Sequence, residues 1–142
     1  MQPLRYLLDT NVISEWAKPR PSERVTAWLS QVDEDATFVS VISLAELRYG
    51  VGVLASGNRS SKLDRWLKAE LPARFEGRFV PIDADVAEAC GRLRARRKIA
   101  GRPIGDRDSL IGATAEVNGM TLVTRDVADF GLIDIKILNP WE

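Results

Sequence analysis

Short apolar runs recur along this chain, and helix-length stretches separate all but the last two. They lie at Arg5 to Asp9, Thr37 to Val41, Phe79 to Ile82, Met120 to Val123 and Ile135 to Leu138. Consecutive parallel strands need a crossover of a dozen or more residues, usually a helix, whereas antiparallel strands can be joined by two. The alternation therefore predicts a three-layer α/β domain around a central, mostly parallel five-stranded sheet. Runs such as Tyr6-Leu7-Leu8 are apolar on consecutive residues, as strands covered on both faces are. At 142 residues the chain fits a single domain, 1–142, with a full core.

The intervening segments carry helix signals. Thr10 to Lys18 reads as a short helix with Val12, Ile13 and Trp16 on one side, closed by Pro19 and Pro21. Ser22 can cap a helix over 22–31 that turns Val25, Trp28 and Leu29 inward. Ser43 opens a helix to about Leu54, and Ser60 or Ser61 opens another that Pro72 stops. Asp83 or Asp85 starts a helix to about Ala100, with Val86, Cys90 and Leu93 spaced i, i+4, i+7. Asp106-Arg107-Asp108 precedes a small-residue helix, Ser109 to Asn118, capped by Gly119. Pro81 points to an edge or an end for the third strand.

The reactive inventory is narrow. The sequence has no histidine, which removes Ser-His-Asp and Cys-His nucleophile systems and most zinc sites. Cys90 is the single cysteine, so an internal disulfide is excluded and a reducing, cytoplasmic setting fits. No apolar run reaches the ~18 residues of a membrane span, and Asp9 arrives before any signal-peptide pattern develops. Lys plus Arg (20) balances Asp plus Glu (20), so bulk charge names no partner. What remains is carboxylate, which suits hard, oxygen-coordinated ions such as Mg²⁺ or Mn²⁺.

Four acids stand out by position. Asp9 and Asp126 end or follow strands, and Glu46 and Asp108 fall in the first turns of helices. In open α/β sheets ligands bind outside the carboxyl ends of strands, where these four would meet. Each also has a plainer explanation. Asp9 can cap the next helix, Ser43-x-x-Glu46 matches a capping box, Asp108 suits a helix N-terminus and Asp126 suits an Asx turn.

Four segments carry a resemblance. They are Leu7-Leu8-Asp9-Thr10-Asn11-Val12-Ile13-Ser14, Ser43-Leu44-Ala45-Glu46-Leu47-Arg48-Tyr49-Gly50, Asp108-Ser109-Leu110-Ile111-Gly112-Ala113-Thr114-Ala115 and Leu122-Val123-Thr124-Arg125-Asp126-Val127-Ala128-Asp129-Phe130. In this order they resemble the signature segments of PIN-domain ribonucleases, and in particular the VapC and FitB-like toxins of type II toxin–antitoxin pairs. The resemblance runs from Asp9 to Asn139-Pro140-Trp141. It implies a Rossmann-like sheet, a divalent-metal site using Mg²⁺ or Mn²⁺, and metal-dependent endoribonuclease activity. Asp9, Glu46 and Asp108 match its characteristic acids. At Asp126 many relatives carry Asn and keep the later acid matched by Asp129, so the fourth position is Asp126 or Asp129. Asp106 is an additional acid beside the third. Thr10, Asn11 and Thr124 are placed to orient Asp9 or a water.

The expected mechanism gives Asp9 and Asp108 the metal, with Glu46 and Asp126 binding through water, holding a second ion or positioning the nucleophile. The resemblance also implies an RNA substrate, a cognate antitoxin, a homodimer within a toxin–antitoxin hetero-oligomer, and contact with DNA only through the antitoxin. Arg92, Arg94, Arg96, Arg97, Lys98 and Arg102 form either a solvated helix face or a phosphate-tracking rim. Trp28 and Trp66 read as packing residues, and Cys90 as core. Two rivals are an aspartyl-phosphate enzyme using Asp9 and a PIN scaffold that binds RNA or an antitoxin without cutting. The first would need a second Asp where Asn11 stands, or a late-strand Lys missing from Leu122-Val123-Thr124-Arg125.

Overall fold

The computed structural model describes residues 3–142. Its five strands are β1 (Tyr6–Leu8), β2 (Thr37–Ser40), β3 (Phe79–Val80), β4 (Thr121–Val123) and β5 (Ile137–Leu138). They pair in the order β3-β2-β1-β4-β5, and every pairing is parallel, so the sheet is wholly rather than mostly parallel. Seven α-helices connect them: α1 (Thr10–Glu15), α2 (Glu23–Gln31), α3 (Val41–Gly52), α4 (Asn58–Arg65), α5 (Leu71–Arg74), α6 (Ala84–Ile99) and α7 (Asp106–Asn118). No helix among the described residues is long and apolar enough to cross a membrane.

Successive strand residues point to opposite faces, and the central strand uses both. Leu8 joins Val12, Ile13, Val25, Val39, Leu71 and Phe75 on one side. Leu7 joins Ile111, Ala115, Met120, Leu122 and Phe130 on the other. Both leucines are fully buried, and such burial is worth about 1.5–3 kcal/mol each. On the second face α7 lies close to its cover. A Cβ on Gly112 would come within 2.6 Å of Ile133 Cδ1. Cys90 is buried there against Ser109, while Trp28 stacks edge-on with Tyr6 at 5.4 Å, a packing role as expected.

Several boundaries differ from the sequence reading. Helix α3 starts at Val41, because Ser40, not Ser43, accepts the Ile42 N–H as its cap. The last β2–β3 pair is Ser40 with Val80, after which Pro81 has no N–H to extend the ladder, so the chain turns at once. The helix expected to stop at Pro72 continues to Arg74. Between α4 and α5 a π turn, Trp66–Glu70, widens the helix, with Leu71 N–H bonding to Trp66 O five residues back. Pro72 then falls in the first turn of α5, where a missing N–H costs least. Helix α7 begins at Asp106, so Asp106, Arg107 and Asp108 form its first turn instead of preceding it. Pro81 does follow an edge strand, as its chemistry required.

Candidate active site

The strand order reverses direction between β1 and β4. From β1 the chain builds outward to β2 and β3, then returns to add β4 and β5 on the other flank. A crevice opens at such a switch point, beyond the carboxyl ends of the two strands. Asp9 leaves β1 there and Thr124 leaves β4. The Asp9 N–H bonds to Val123 O at 2.9 Å, and Thr124 Oγ1 donates to Asp9 Oδ2 at 2.8 Å. Asp9 Oδ1 accepts the Thr10 N–H at 2.7 Å, so Asp9 is also the N-cap of α1. The cap and the site are the same carboxylate, and its side chain is fully buried.

Glu46 reaches the crevice from the second turn of α3, and Asp108 from the first turn of α7. The proposed capping box is not formed. Glu46 Oε1 instead lies 2.8 Å from Thr10 Oγ1, whose hydroxyl is also 2.9 Å from Ser43 Oγ. The single Thr10 proton favours the carboxylate, the stronger acceptor.

One side chain joins the three acids. Arg107 Nε donates to Glu46 Oε1 at 2.8 Å, Nη1 to Asp108 Oδ1 at 2.8 Å, and Nη2 to Asp9 Oδ1. The planar guanidinium presents every edge to a different carboxylate. Burial disfavours its charge, but the hydrogen bond and charge of Asp9, then Asp108 and Glu46, outweigh this and hold its pKa above the ordinary arginine value. Sequence reasoning gave Arg107 no role. A signal was present, since a base in the first turn of a helix works against the helix dipole and needs another reason to be there.

Asp126 stands at the rim. Its carboxylate accepts Asn11 Nδ2 at 3.2 Å, and its own N–H bonds to Thr124 Oγ1 at 3.1 Å. It is therefore linked to Asp9 through Thr124, which Asn11 Nδ2 also approaches at 3.4 Å, and it makes no hydrogen bond to Arg107. Asp129 lies in the following 3-10 turn, Val127–Phe130, exposed, with its backbone carbonyl facing Arg97. Asp106 is exposed and pairs with Arg94 at 2.9 Å, away from the other acids.

The pocket suits a divalent cation. Three carboxylates facing one guanidinium leave two formal negative charges at neutral pH. Asn11 Oδ1 is a buried acceptor with no protein partner. All donors are hard oxygens, the type that Mg²⁺ and Mn²⁺ prefer. Among the described residues no three acids are gathered tightly enough to grip a bare ion as they stand. The guanidinium lies between them.

The basic residues of α6, read as either a solvated face or a phosphate-tracking rim, do not act as one unit. Arg97 is buried and donates to the carbonyls of Arg102 (2.6 Å), Gly131 (2.7 Å) and Asp129 (3.3 Å). Arg92 and Arg94 pair with Glu88 and Asp106. Beside the acids a groove runs between α1, α3 and α4, lined by Ser14, Leu47, Val51, Leu63 and Trp66 and opening at Thr10 and Glu46. Tyr49 and Val53 are exposed on α3.

A parallel sheet with a carboxylate cluster at its switch point defines an α/β domain whose candidate site lies at the carboxyl edge of the sheet. Residues 6–135 match the family model of the PIN domain, and the chain belongs to that family. It is 40% identical to Toxin FitB of Neisseria gonorrhoeae over 135 residues, 95% of this chain and 97% of that protein. It is 37% identical to VapC ribonuclease Y4jK of Sinorhizobium fredii, over 96% and 97% of the two chains. Among solved structures it is similar to FitAB bound to the IR36 DNA fragment, with a TM-score of 0.91, 39% identity and 96% of each chain covered. VapBC2 from Rickettsia felis, bound to a promoter DNA fragment, follows with a TM-score of 0.77 at 26% identity, covering 96% of this chain and 98% of that one.

Proposed function

We propose that this chain is the toxin of a type II toxin–antitoxin pair and a divalent-metal-dependent endoribonuclease of the cytoplasm, acting as one PIN domain. The observation that carries this is the convergence of Asp9, Glu46 and Asp108, from three separate elements, on one positive group at the switch point. Relatives with ribonuclease names support the reaction class. Asp9 and Asp108 hold the ion, with Glu46 and Asp126 as the outer acids. Mg²⁺ or Mn²⁺ supplies positive charge to a phosphodiester and lowers the pKa of water. Thr124 and the Thr10 N–H fix both oxygens of Asp9, so the carboxylate pays little reorientation entropy on engaging a cation. Glu46, about a third exposed, would take a proton from an attacking water as that water adds to phosphorus, while the P–O ester bond breaks and the departing oxygen takes a proton from solvent water.

The partner reading follows the same geometry. An antitoxin segment with an apolar face fits the groove along α1, α3 and α4 and would cover the acids at its mouth. The exposed Tyr49 and Val53 give the chain an apolar surface for a second copy of itself. DNA is reached through the antitoxin.

The test is cleavage of a pool of structured RNAs by purified, antitoxin-free protein, with Mg²⁺, Mn²⁺ or chelator. Cuts should need metal and should fall at least about 100-fold in Asp9→Asn and in Asp108→Asn, both still folded. Equal cleavage by either variant would remove the assignment. RNA binding without cleavage under every metal condition would favour the scaffold reading.

A further inference from the structure

Arg107 occupies carboxylate oxygens of Asp9 and Asp108, the two residues given the metal above. Asp9 Oδ1, Glu46 Oε1 and Asp108 Oδ1 each accept one of its nitrogens. The side chain comes from the residue next to Asp108, on the first turn of α7, so it is tethered to the pocket by the chain itself. Nothing else in that turn calls for a cation, since the helix dipole is unfavourable to one. The Arg107 side chain is about one third exposed, whereas Asp9 beneath it is fully buried.

We propose that Arg107 is the built-in counter-ion of this site and competes with the divalent ion for Asp9, Glu46 and Asp108, thereby setting the metal concentration at which the site fills. The inference rests on the metal reading above. Two cations drawn to the carboxylates of Asp9 and Asp108 exclude each other, and a tethered competitor lowers the apparent affinity of the free one by the fraction of time it is bound. Until metal arrives, Arg107 keeps the carboxylates together and limits their mutual repulsion. Once metal is bound, that task passes to the ion. The arrangement thus predicts two opposite effects of removing Arg107: weaker folding without metal and tighter binding of metal.

Calorimetric titration of the full-length protein with Mn²⁺ alone, with no RNA present, tests this. Arg107→Gln should bind Mn²⁺ at least about tenfold more tightly than the native chain. Arg107→Lys, which keeps the charge but cannot span three carboxylates, should fall between them. Arg107→Gln should also melt lower than the native chain in chelator and recover that loss in Mn²⁺. Affinity equal to or weaker than native, at measurable binding, overturns the competition while leaving the metal site intact. Absence of Mn²⁺ binding in every form overturns the metal reading and this inference together. If Arg107→Gln does not fold, the native chain carries the test by nuclear magnetic resonance. The Arg107 Nε–H signal should lose its hydrogen-bonded shift as Mg²⁺ saturates the carboxylates, and a guanidinium that stays bound at saturation overturns the proposal.

Discussion

Glu15 shows how much a single buried carboxylate can hold. It is 3% exposed at the end of α1, with Lys18 Nζ 2.6 Å from Oε1 and the Ser22 N–H 2.9 Å from Oε2. Burial pushes its pKa up, but the Lys18 hydrogen bond, the Ser22 N–H and the charges of Lys18 and Arg125 prevail, and the pKa is lowered. A carboxyl depressed in the folded state stabilises the protein above its unfolded pKa of about 4.3. That stabilisation fades as pH falls from there through the folded value. Glu15→Gln should therefore cost about 1–3 kcal/mol at neutral pH, with the gap to the native chain closing below about pH 4. Denaturant unfolding across that range measures it, and a gap independent of pH would refute the charge argument. The role of Glu15 was not legible in the sequence because Lys18 alone reads as a surface pair, while Ser22 lies across the bend made by Pro19 and Pro21 and Arg125 lies far along the chain. Asp9 was legible, because an acid that ends an apolar run has few places to go. Arg107 was hidden by two flanking acids that made the triplet look solvated.

At the scale of elements, the basic end of α6 divides into two kinds of arginine. Arg97 continues the stripe of Val86, Cys90 and Leu93 at helical spacing, and it is buried with them. Its guanidinium ties the end of α6 to the segment after β4 through the carbonyls of Arg102 and Gly131. Arg97→Ala leaves those carbonyls without their donor and should destabilise the protein by about 2–4 kcal/mol in urea unfolding. Arg92→Ala removes only an exposed pair with Glu88 and should stay within about 0.5 kcal/mol. Equal effects at the two positions would contradict the geometry. The same 3.6-residue period that found the apolar face of α6 places Arg97 on it, so this was readable and was masked by grouping the bases by charge. The start of α3 was not readable. Ser40 and Ser43 are both able caps, and the choice between them is made by β3, a strand forty residues away that ends its pairing at Val80.

The whole molecule is organised outward from β1, which lies between β2 and β4 with both faces covered. Hydrogen exchange should follow that order. The amides of Asp9 and Thr121, which join β1 and β4, should exchange only on global unfolding. The Thr124 amide, bonded to the two-residue edge strand β5, should exchange by local opening. Exchange in the reverse order would put the stable core elsewhere. The alternation of strands and helices made the layers and the parallel sense legible, whereas which strand neighbours which depends on long-range packing that no local segment records. The placing of β4 beside β1 has a consequence for synthesis. Asp9 is made well before the strand that completes its sheet and the helix that brings Asp108, which follow about a hundred residues later. A growing polypeptide has no assembled acidic pocket until α7 and β4 have been made and have folded onto β1. The site is therefore a late product of folding, absent until the second flank of the sheet is in place.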